Sequence, residues 1–336
     1  MSRIGVAVIG LGPGAEPHAK SLVDLADRVD VRWAASRSEA RLRAFAHRAP
    51  FPLTTDIAMA INDPAVRAVL VLTPPGSHGE IAARAFAAGK HVLVEKPLAL
   101  TTGEAEKLVA AGRHAGLRLG VVLQQRFREG AVKLRAIMEQ GRLGAIAAAS
   151  VQVPWWRPQS YYDEAMGGPG RGTLARDGGG VLLTQAIHSL NLFQSLVGVR
   201  RVIASQVRTT ALHRMQTEDY ASALLELRDG APGTLIATTA CYPGRPERIE
   251  ILGTRGSAVL EGAALRVAFL DGTTEAHETA ESTGGRANIM DFPNDAHRAL
   301  LADFLDAVER DRDPAVTGED ALATQRLIDA ILAASR

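Results

Sequence analysis

Apolar residues in the first third of the chain fall into short unbroken runs separated by segments with helical spacing. IGVAVIG (4–10) is a continuous run, as expected of a strand buried on both faces. Leu22, Val23 and Ala26 give helical spacing to 15–27, VRWAAS (31–36) reads as a second strand, and 38–48 as a second helix. AVLVLT (68–73) is the third clear strand, followed by a helix over 77–88 that stops at Gly89. HVLVE (91–95), a helix over 102–115 and LGVVL (119–123) complete the series. Such alternation builds right-handed βαβ units and a doubly wound parallel sheet.

After residue 124 the rhythm changes. A helix over 130–140 precedes IAAASVQV (146–153), a long irregular stretch rich in Gly, Pro, Trp and Tyr (154–180), and a helix over 180–197. Between 200 and 270 short strands follow one another across turns such as RDG (228–230) and GTRG (253–256), so an antiparallel sheet is expected. Helices at 295–310 and 318–334 close the chain. The expected fold is an α/β domain over 1–124 followed by an α+β domain over 125–336.

Composition adds bounds. At 336 residues the chain exceeds a single core, in keeping with two domains. A net charge of +1 gives no reason to expect a nucleic-acid partner. The one cysteine, Cys241, has no internal partner, which fits a reducing cytoplasm. The N-terminal apolar run is too short for a membrane span, and no later segment is long enough, so a soluble cytoplasmic protein with no membrane partner is expected.

GLGPGA (10–15) leaves a predicted strand and opens a predicted helix, the context in which G-x-G-x-x-G/A binds a dinucleotide. Gly10 permits the tight turn, Gly12 lets backbone approach a pyrophosphate, and Ala15 allows close helix packing, with Leu11 and Pro13 between them. The helix N-terminus supplies N–H groups and the positive dipole end. About 20 residues on, where an acid holds the ribose of NAD, stand Ser36, Arg37 and Ser38. Hydroxyls and a guanidinium suit a 2′-phosphate, so NADP is preferred over NAD; an arginine stacked on adenine, or simply solvated, is the alternative.

Ligands bind at the carboxyl ends of strands in such a sheet. TPPGSH (73–78) and EKP (95–97) close two strands, and Gln124 follows a third. Thr73, Pro74, His78, Glu95, Lys96 and Gln124 are therefore candidate cofactor contacts, and Lys96 is placed toward the nicotinamide. A structural ion pair at a strand end is the competing account of Glu95 and Lys96. Downstream, DGGGVLLTQAIHSLNLF (177–193) brings three glycines into a helix start and sets Thr184 and His188 four apart. A lone histidine in an apolar helix is more often a packed core residue than a catalyst.

These segments, in this order and spacing, resemble the glucose–fructose oxidoreductase/inositol dehydrogenase (Gfo/Idh/MocA) family. The likeness covers essentially the whole chain, includes DFLDAVERDRDPAVTGEDAL (303–322), and is most specific in EKP with the later histidine. It implies a Rossmann NAD(P)-binding domain and a second domain with a large open antiparallel sheet used for homodimer or homotetramer contacts. It also implies hydride transfer between nicotinamide and a secondary alcohol or ketone of a sugar or cyclitol, with Lys96 and His188 as the catalytic lysine and histidine and no metal. Many members carry an aspartate four residues before the histidine, where this chain has Thr184, so the proton relay is incomplete. TQAIH, RPQSYYD (157–163) and GRGT (170–173) look similar to the branch acting on nucleotide-sugar uronates, although Gly170 stands where a tryptophan is expected.

Alcohol oxidation needs a base for the hydroxyl proton, which Lys96 or His188 can supply. Trp155, Trp156, Arg157, Tyr161, Tyr162 and Arg171 would cover the substrate, with Gln185 beside them on the histidine helix. Aromatic faces suit sugar C–H surfaces, and arginines suit carboxylates or phosphates. A subunit-packing loop is the plainer account of that stretch. Two other classes fit the same family: a glycosidase using NAD for a transient oxidation, and a non-catalytic dinucleotide-binding regulator.

Overall fold

The computed structural model describes residues 3–163, 170–279 and 293–335. The chain divides into two compact units, one of Met1–Gln124 with Asn294–Leu322, the other of Gln125–Pro293 with Ala323–Arg336.

The first unit is built on six parallel strands: β1 (Ile4–Ile9), β2 (Val29–Ala35), β3 (Leu53–Thr54), β4 (Ala68–Val71), β5 (His91–Val94) and β6 (Leu119–Val121). Their order is β3-β2-β1-β4-β5-β6, so β1 lies inside the sheet between β2 and β4. Every residue of β1 and of β4 is buried, which explains their unbroken apolar sequences. Helices Glu39–Ala46 and Thr102–His114 start on Ser38 and on a Thr101–Glu104 capping box. β3 and the six-residue helix Ile57–Asn62 escape the periodicity because both are too short to show a period.

Asn294–Leu322 belongs to this first unit, whereas the sequence pattern assigned 125–336 to one domain. The cause is packing. Helix Asp295–Arg310 buries Leu300, Leu301, Phe304 and Leu305, and a Cβ on Gly120 of β6 would meet the Phe304 ring at 3.0 Å. Phe304 is almost fully buried, and its truncation to alanine would cost about 3–5 kcal/mol.

The second unit carries β7 (Ile146–Pro154), β8 (Val199–Arg208), β9 (Tyr220–Leu227), β10 (Pro232–Thr238), β11 (Arg248–Gly253), β12 (Gly256–Glu261), β13 (Ala264–Phe269) and β14 (Thr274–His277). They form one sheet in the order β14-β13-β12-β11-β7-β10-β9-β8, antiparallel except where β7 meets β10. Helix Glu129–Glu139 packs on β12 and β13, and helix Ile187–Val197 on β7. In β9 the alternate residues Ala221, Ala223, Leu225 and Leu227 are buried, which leaves Leu224 on the other face. Among the described residues no helix is long and apolar enough to cross a membrane.

Register places Leu224 opposite Thr234, Ile236 opposite Gln152, and Leu252 opposite Ala148, all on that second face. Leu224, Ile236 and Leu252 are exposed. Apolar positions on a broad sheet face are expected to pack against a second copy of the chain. Light scattering should give the mass of a dimer or tetramer, and Leu224→Arg with Ile236→Arg should lower it. A monomeric mass for the unaltered protein would contradict this.

Candidate active site

All six strands of the first sheet run the same way, so their carboxyl ends share one edge. Gly10, Ser36, Thr73, Glu95, Lys96 and Gln124 lie at or just beyond those ends. Backbone bonds carry the ladder to the edge: Gly10 N to Ala35 O at 2.9 Å, Leu72 N to Ile9 O at 2.8 Å, and Glu95 N to Val71 O at 2.9 Å. Gly10 has φ +105°, and an added Cβ would lie 2.7 Å from the Leu72 carbonyl carbon. Only glycine fits there. Gly12 and Gly14 have nothing within 4 Å of an added Cβ, so the loop is open on the side from which a phosphate would approach. Pro13–Ala15 forms a short 3-10 turn leading into helix Glu16–Asp24, with Ala15 buried. This open loop at a helix start fits a dinucleotide.

Ser36 is buried and its Oγ accepts the Ser38 amide at 3.3 Å. The Ser38 hydroxyl in turn caps the next helix at the Arg41 amide, while Arg37 is exposed. Thr73 accepts a bond from Ser77 at 2.8 Å. His78 is fully buried, with Nε2 2.7 Å from the Thr73 carbonyl and Nδ1 3.0 Å from the Pro97 carbonyl. Burial lowers the His78 pKa, so the ring is neutral and its single N–H donates to one of these two carbonyls while the ring packs between the TPPGSH turn and EKP.

Glu95 points one oxygen at His18, whose Nε2 lies 2.7 Å away, and the other at the Lys96 amide at 3.0 Å. His18 is 1% exposed and sits on the helix opened by GLGPGA, edge-on to the His297 ring at 5.3 Å. Burial alone would raise the Glu95 pKa. The hydrogen bond and charge of His18, with Lys96 and His297, outweigh it and hold the carboxyl below its ordinary value. Sequence patterns missed this pair, although a histidine on the buried face of that helix, beside Ala19 and Leu22, was a visible signal.

In the second unit the expected substrate contacts divide. Arg157 is buried, donates to Gln185 Oε1 at 3.2 Å and lies over the rings of Trp155 and Tyr161. Gln185 Nε2 donates to the Tyr161 hydroxyl at 2.9 Å. Half-buried Arg171 lies over the Tyr161 ring at 4.7 Å and donates to its hydroxyl. Arg157, Tyr161, Arg171 and Gln185 therefore form one cluster. Tyr162 turns elsewhere, to the Thr239 hydroxyl at 2.7 Å, and burial raises its pKa. Trp155 is a core residue, its indole donating to Glu247 at 3.2 Å. Gly170 has φ +76°, a conformation that tryptophan adopts only with strain, so the change from the expected residue goes with a different turn. Residues 164–169 of the irregular stretch lie outside the described residues.

The helix over 180–197 starts with a π turn at Leu182–Ala186 and continues as α-helix Ile187–Val197. Such turns re-aim side chains and recur at functional sites. Thr184 lies in the π turn, where its hydroxyl donates to the Gly180 carbonyl at 2.7 Å, and buried His188 follows in the α-helix. The close approach that the three glycines allow is to the protein itself. A Cβ on Gly180 would fall 1.9 Å from the Glu218 carbonyl oxygen. The buried Glu218 carboxylate accepts the amides of Gly180 and Leu182 at 3.0 and 3.1 Å. Gln125 and Arg128 both donate to Glu247, and Ser189, next to His188, donates to Gln125 at 2.9 Å.

A concavity of about 540 Å³, lined by Arg113, Arg118, Asp313 and Glu319, borders the start of β6 at the opposite sheet edge from Lys96. Its arginines are already paired with acids, so it is not the candidate site.

His213 and Asp219 anchor the arginine loop from below. Their side chains are fully buried and 2.7 Å apart, and the other His213 nitrogen lies 2.8 Å from the Arg157 carbonyl. Burial alone would lower the His213 pKa and raise that of Asp219. Their mutual bond, with the Arg157 carbonyl and Thr210, outweighs burial, so His213 is raised above 6.5 and Asp219 lowered below 3.8. The raised histidine contributes stability that is complete below pH 6.5 and is lost as pH rises through its folded pKa. The lowered aspartate contributes stability above pH 3.8 that is lost on acidification. Thermal unfolding of His213→Asn should therefore show its largest loss of Tm near pH 6 and a smaller loss in alkali. An equal loss at both would contradict the charged pair.

Comparison with known proteins agrees with this geometry. A family described as "Oxidoreductase family, NAD-binding Rossmann fold" matches residues 4–123, and the "GFO/IDH/MocA C-terminal domain" matches residues 131–259. Myo-inositol 2-dehydrogenase of Thermotoga maritima is 26% identical, aligned over 95% of this chain and 91% of that protein. The scyllo-inositol 2-dehydrogenase (NADP(+)) IolW of Bacillus subtilis is also 26% identical, over 78% of this chain and 70% of that protein. Among solved structures, the WlbA dehydrogenase of Bordetella pertussis, in complex with NADH and UDP-GlcNAcA, superposes with a TM-score of 0.83 at 27% identity and covers 100% of this chain and 97% of that one. With both family domains matched, an open dinucleotide loop and a parallel sheet edge that ends on Lys96, the chain belongs to the GFO/IDH/MocA oxidoreductases, NAD(P)-dependent dehydrogenases and reductases acting on CH–OH groups.

Proposed function

We propose that this enzyme oxidises, or in reverse regenerates, a secondary alcohol of an acidic sugar or nucleotide sugar, with Lys96 and His188 handling the hydroxyl proton. The observation that carries the chemistry is the placement of Lys96 at the carboxyl end of β5, on the sheet edge that also holds the dinucleotide loop. Nicotinamide, when bound, supplies the two-electron acceptor or donor. Lys96 takes the proton from the substrate oxygen during oxidation and returns it during reduction. His188, on a helix that begins in a π turn beside Gln185, shares that proton.

The acidic substrate class is supported by the Arg157–Tyr161–Arg171–Gln185 cluster. Two guanidiniums around an aromatic ring suit a carboxylate or phosphate attached to a sugar. It is supported too by the likeness to the WlbA dehydrogenase, whose structure holds UDP-GlcNAcA. UDP-GlcNAcA, myo-inositol and simple uronates assayed with each cofactor will test it. The acidic sugars should give net change in reduced-nicotinamide absorbance. Turnover of myo-inositol alone would contradict this substrate class, and turnover with no net absorbance change would point to transient oxidation.

NADP is the preferred cofactor in this account, because Ser36 and the exposed Arg37 stand where an acid would repel a 2′-phosphate. Titration should show tighter NADPH than NADH binding, and Arg37→Ala should weaken NADPH more. Equal affinity for both in the unaltered protein would contradict it.

For the proton pair, Lys96→Met should lower kcat by about 10²-fold or more with cofactor affinity little changed. His188→Ala should do likewise, and the double variant should lose less than the product of the two. Thr184→Val should cost far less, since the Thr184 hydroxyl is engaged by the Gly180 carbonyl. Near-normal kcat in Lys96→Met would leave EKP as a structural ion pair.

A further inference from the structure

The surroundings of Lys96 hold a group with no role in the chemistry above. His18 is buried on helix Glu16–Asp24, against the Glu95 carboxylate on one side and the His297 ring on another. A polar ring costs free energy to bury, and an apolar side chain of similar volume usually fills such a place at no loss of stability. Packing alone therefore does not account for an imidazole here. What it does is visible in the bonds. His18 Nε2 meets Glu95 Oε1 at 2.7 Å, and Glu95 Oε2 accepts the Lys96 amide at 3.0 Å.

The chain beyond Lys96 is held as well. The Pro97 carbonyl lies 3.0 Å from His78 Nδ1, and His78 Nε2 lies 2.7 Å from the Thr73 carbonyl. The main chain of Lys96 is thus fixed on its amino side through Glu95 to the helix that follows GLGPGA, and on its carboxyl side it packs on the buried His78 ring, which sits between the Pro97 and Thr73 carbonyls. A lysine has four side-chain torsions and a strongly hydrated head, so its main chain and first torsions must be set if the amine is to meet one substrate atom. Supporting hydrogen bonds of this kind serve that purpose in functional sites.

We propose that His18 and Glu95 are positioning residues for Lys96, His18 fixing the Glu95 carboxylate and the carboxylate fixing the lysine main chain at the dinucleotide edge. The inference rests on Lys96 being the proton-transfer residue. It assigns the Glu95 carboxylate to His18 and the Lys96 amide and not to contact with the cofactor. It also makes the helix after the phosphate loop a mechanical support for the reacting lysine.

The test uses four single variants and one double variant of the full chain, assayed with the acidic sugar that turns over and with NADH binding followed by protein fluorescence. His18→Leu and Glu95→Met should each lower kcat by about tenfold or more, while KM and the NADH Kd stay within about threefold of the unaltered protein. His18→Gln keeps a donor for the carboxylate and should recover kcat to within about threefold. In the Lys96→Met background, His18→Leu should cost nothing further, because a residue that acts through Lys96 has nothing left to place. Three results would overturn the proposal: kcat within about threefold of normal in both His18→Leu and Glu95→Met, a loss of NADH binding that matches the loss of kcat, or the same fold-loss from His18→Leu with and without Lys96. Should His18→Leu fail to fold, Glu95→Met and His18→Gln decide by the same criteria. Normal kcat in Lys96→Met would instead remove the lysine mechanism itself, a separate outcome read from a separate variant.

Discussion

The turn at Gly10 is the constraint on which the first unit depends. β1 ends between β2 and β4, and Gly10, the residue after it, must turn with φ +105° while the Leu72 carbonyl passes within 2.7 Å of where a Cβ would stand. Any other residue would either strain that backbone or push β4 away. Because the strands are parallel, moving β4 would also move the TPPGSH turn, which meets Pro97 across the buried His78 ring. The positions of the phosphate loop, the Thr73 turn and Lys96 are therefore set together, by close backbone contact on one side and by the buried His78 ring on the other.

A second regularity runs through both units. In each unit, segments are fixed by an acid that accepts main-chain or side-chain donors, Glu95 being half-buried and Glu218, Glu247 and Asp219 buried. Glu95 takes His18 and the Lys96 amide, Glu218 takes the first amides of the helix that carries His188, and Glu247 gathers Gln125, Arg128 and Trp155. Asp219, through His213, steadies the carbonyl of Arg157. A buried carboxylate is costly without such donors, and with them it specifies one geometry for the segment it holds. Loops that must present side chains to a ligand gain rigidity in this way without adding apolar bulk at the surface.

Much of this was legible in the sequence, for physical reasons that differ by element. Unbroken apolar runs identified β1 and β4 because both are buried on two faces, and the two closing helices were expected at the bounds observed for Asp295–Arg310 and Gly318–Ala334. The dinucleotide loop was legible because its glycines answer a backbone demand that few other turns make. What stayed hidden was either too short or too distant in sequence. β3 has two residues, and the π turn at Leu182–Ala186 looks like ordinary helix in its spacing. Glu218 lies 38 residues from Gly180, and Glu95 lies 77 from His18, so neither pairing leaves a local pattern. The aromatic residues of the irregular stretch looked alike in sequence, yet Trp155 bonds Glu247 and Tyr162 bonds Thr239 while the Tyr161 hydroxyl bonds Gln185 and Arg171. Only tertiary packing separates them.

The central claim is that the sheet edge presents the Lys96 amine to the reacting oxygen. A crystal structure of the ternary complex with NADP and the acidic sugar measures this most directly. Lys96 Nζ should lie at hydrogen-bond distance, about 3 Å, from the substrate oxygen on the carbon that is oxidised, with the His18–Glu95 bond intact beneath it. An Nζ turned away from the substrate and bonded only to protein carboxylates, with another residue on that oxygen, would contradict it.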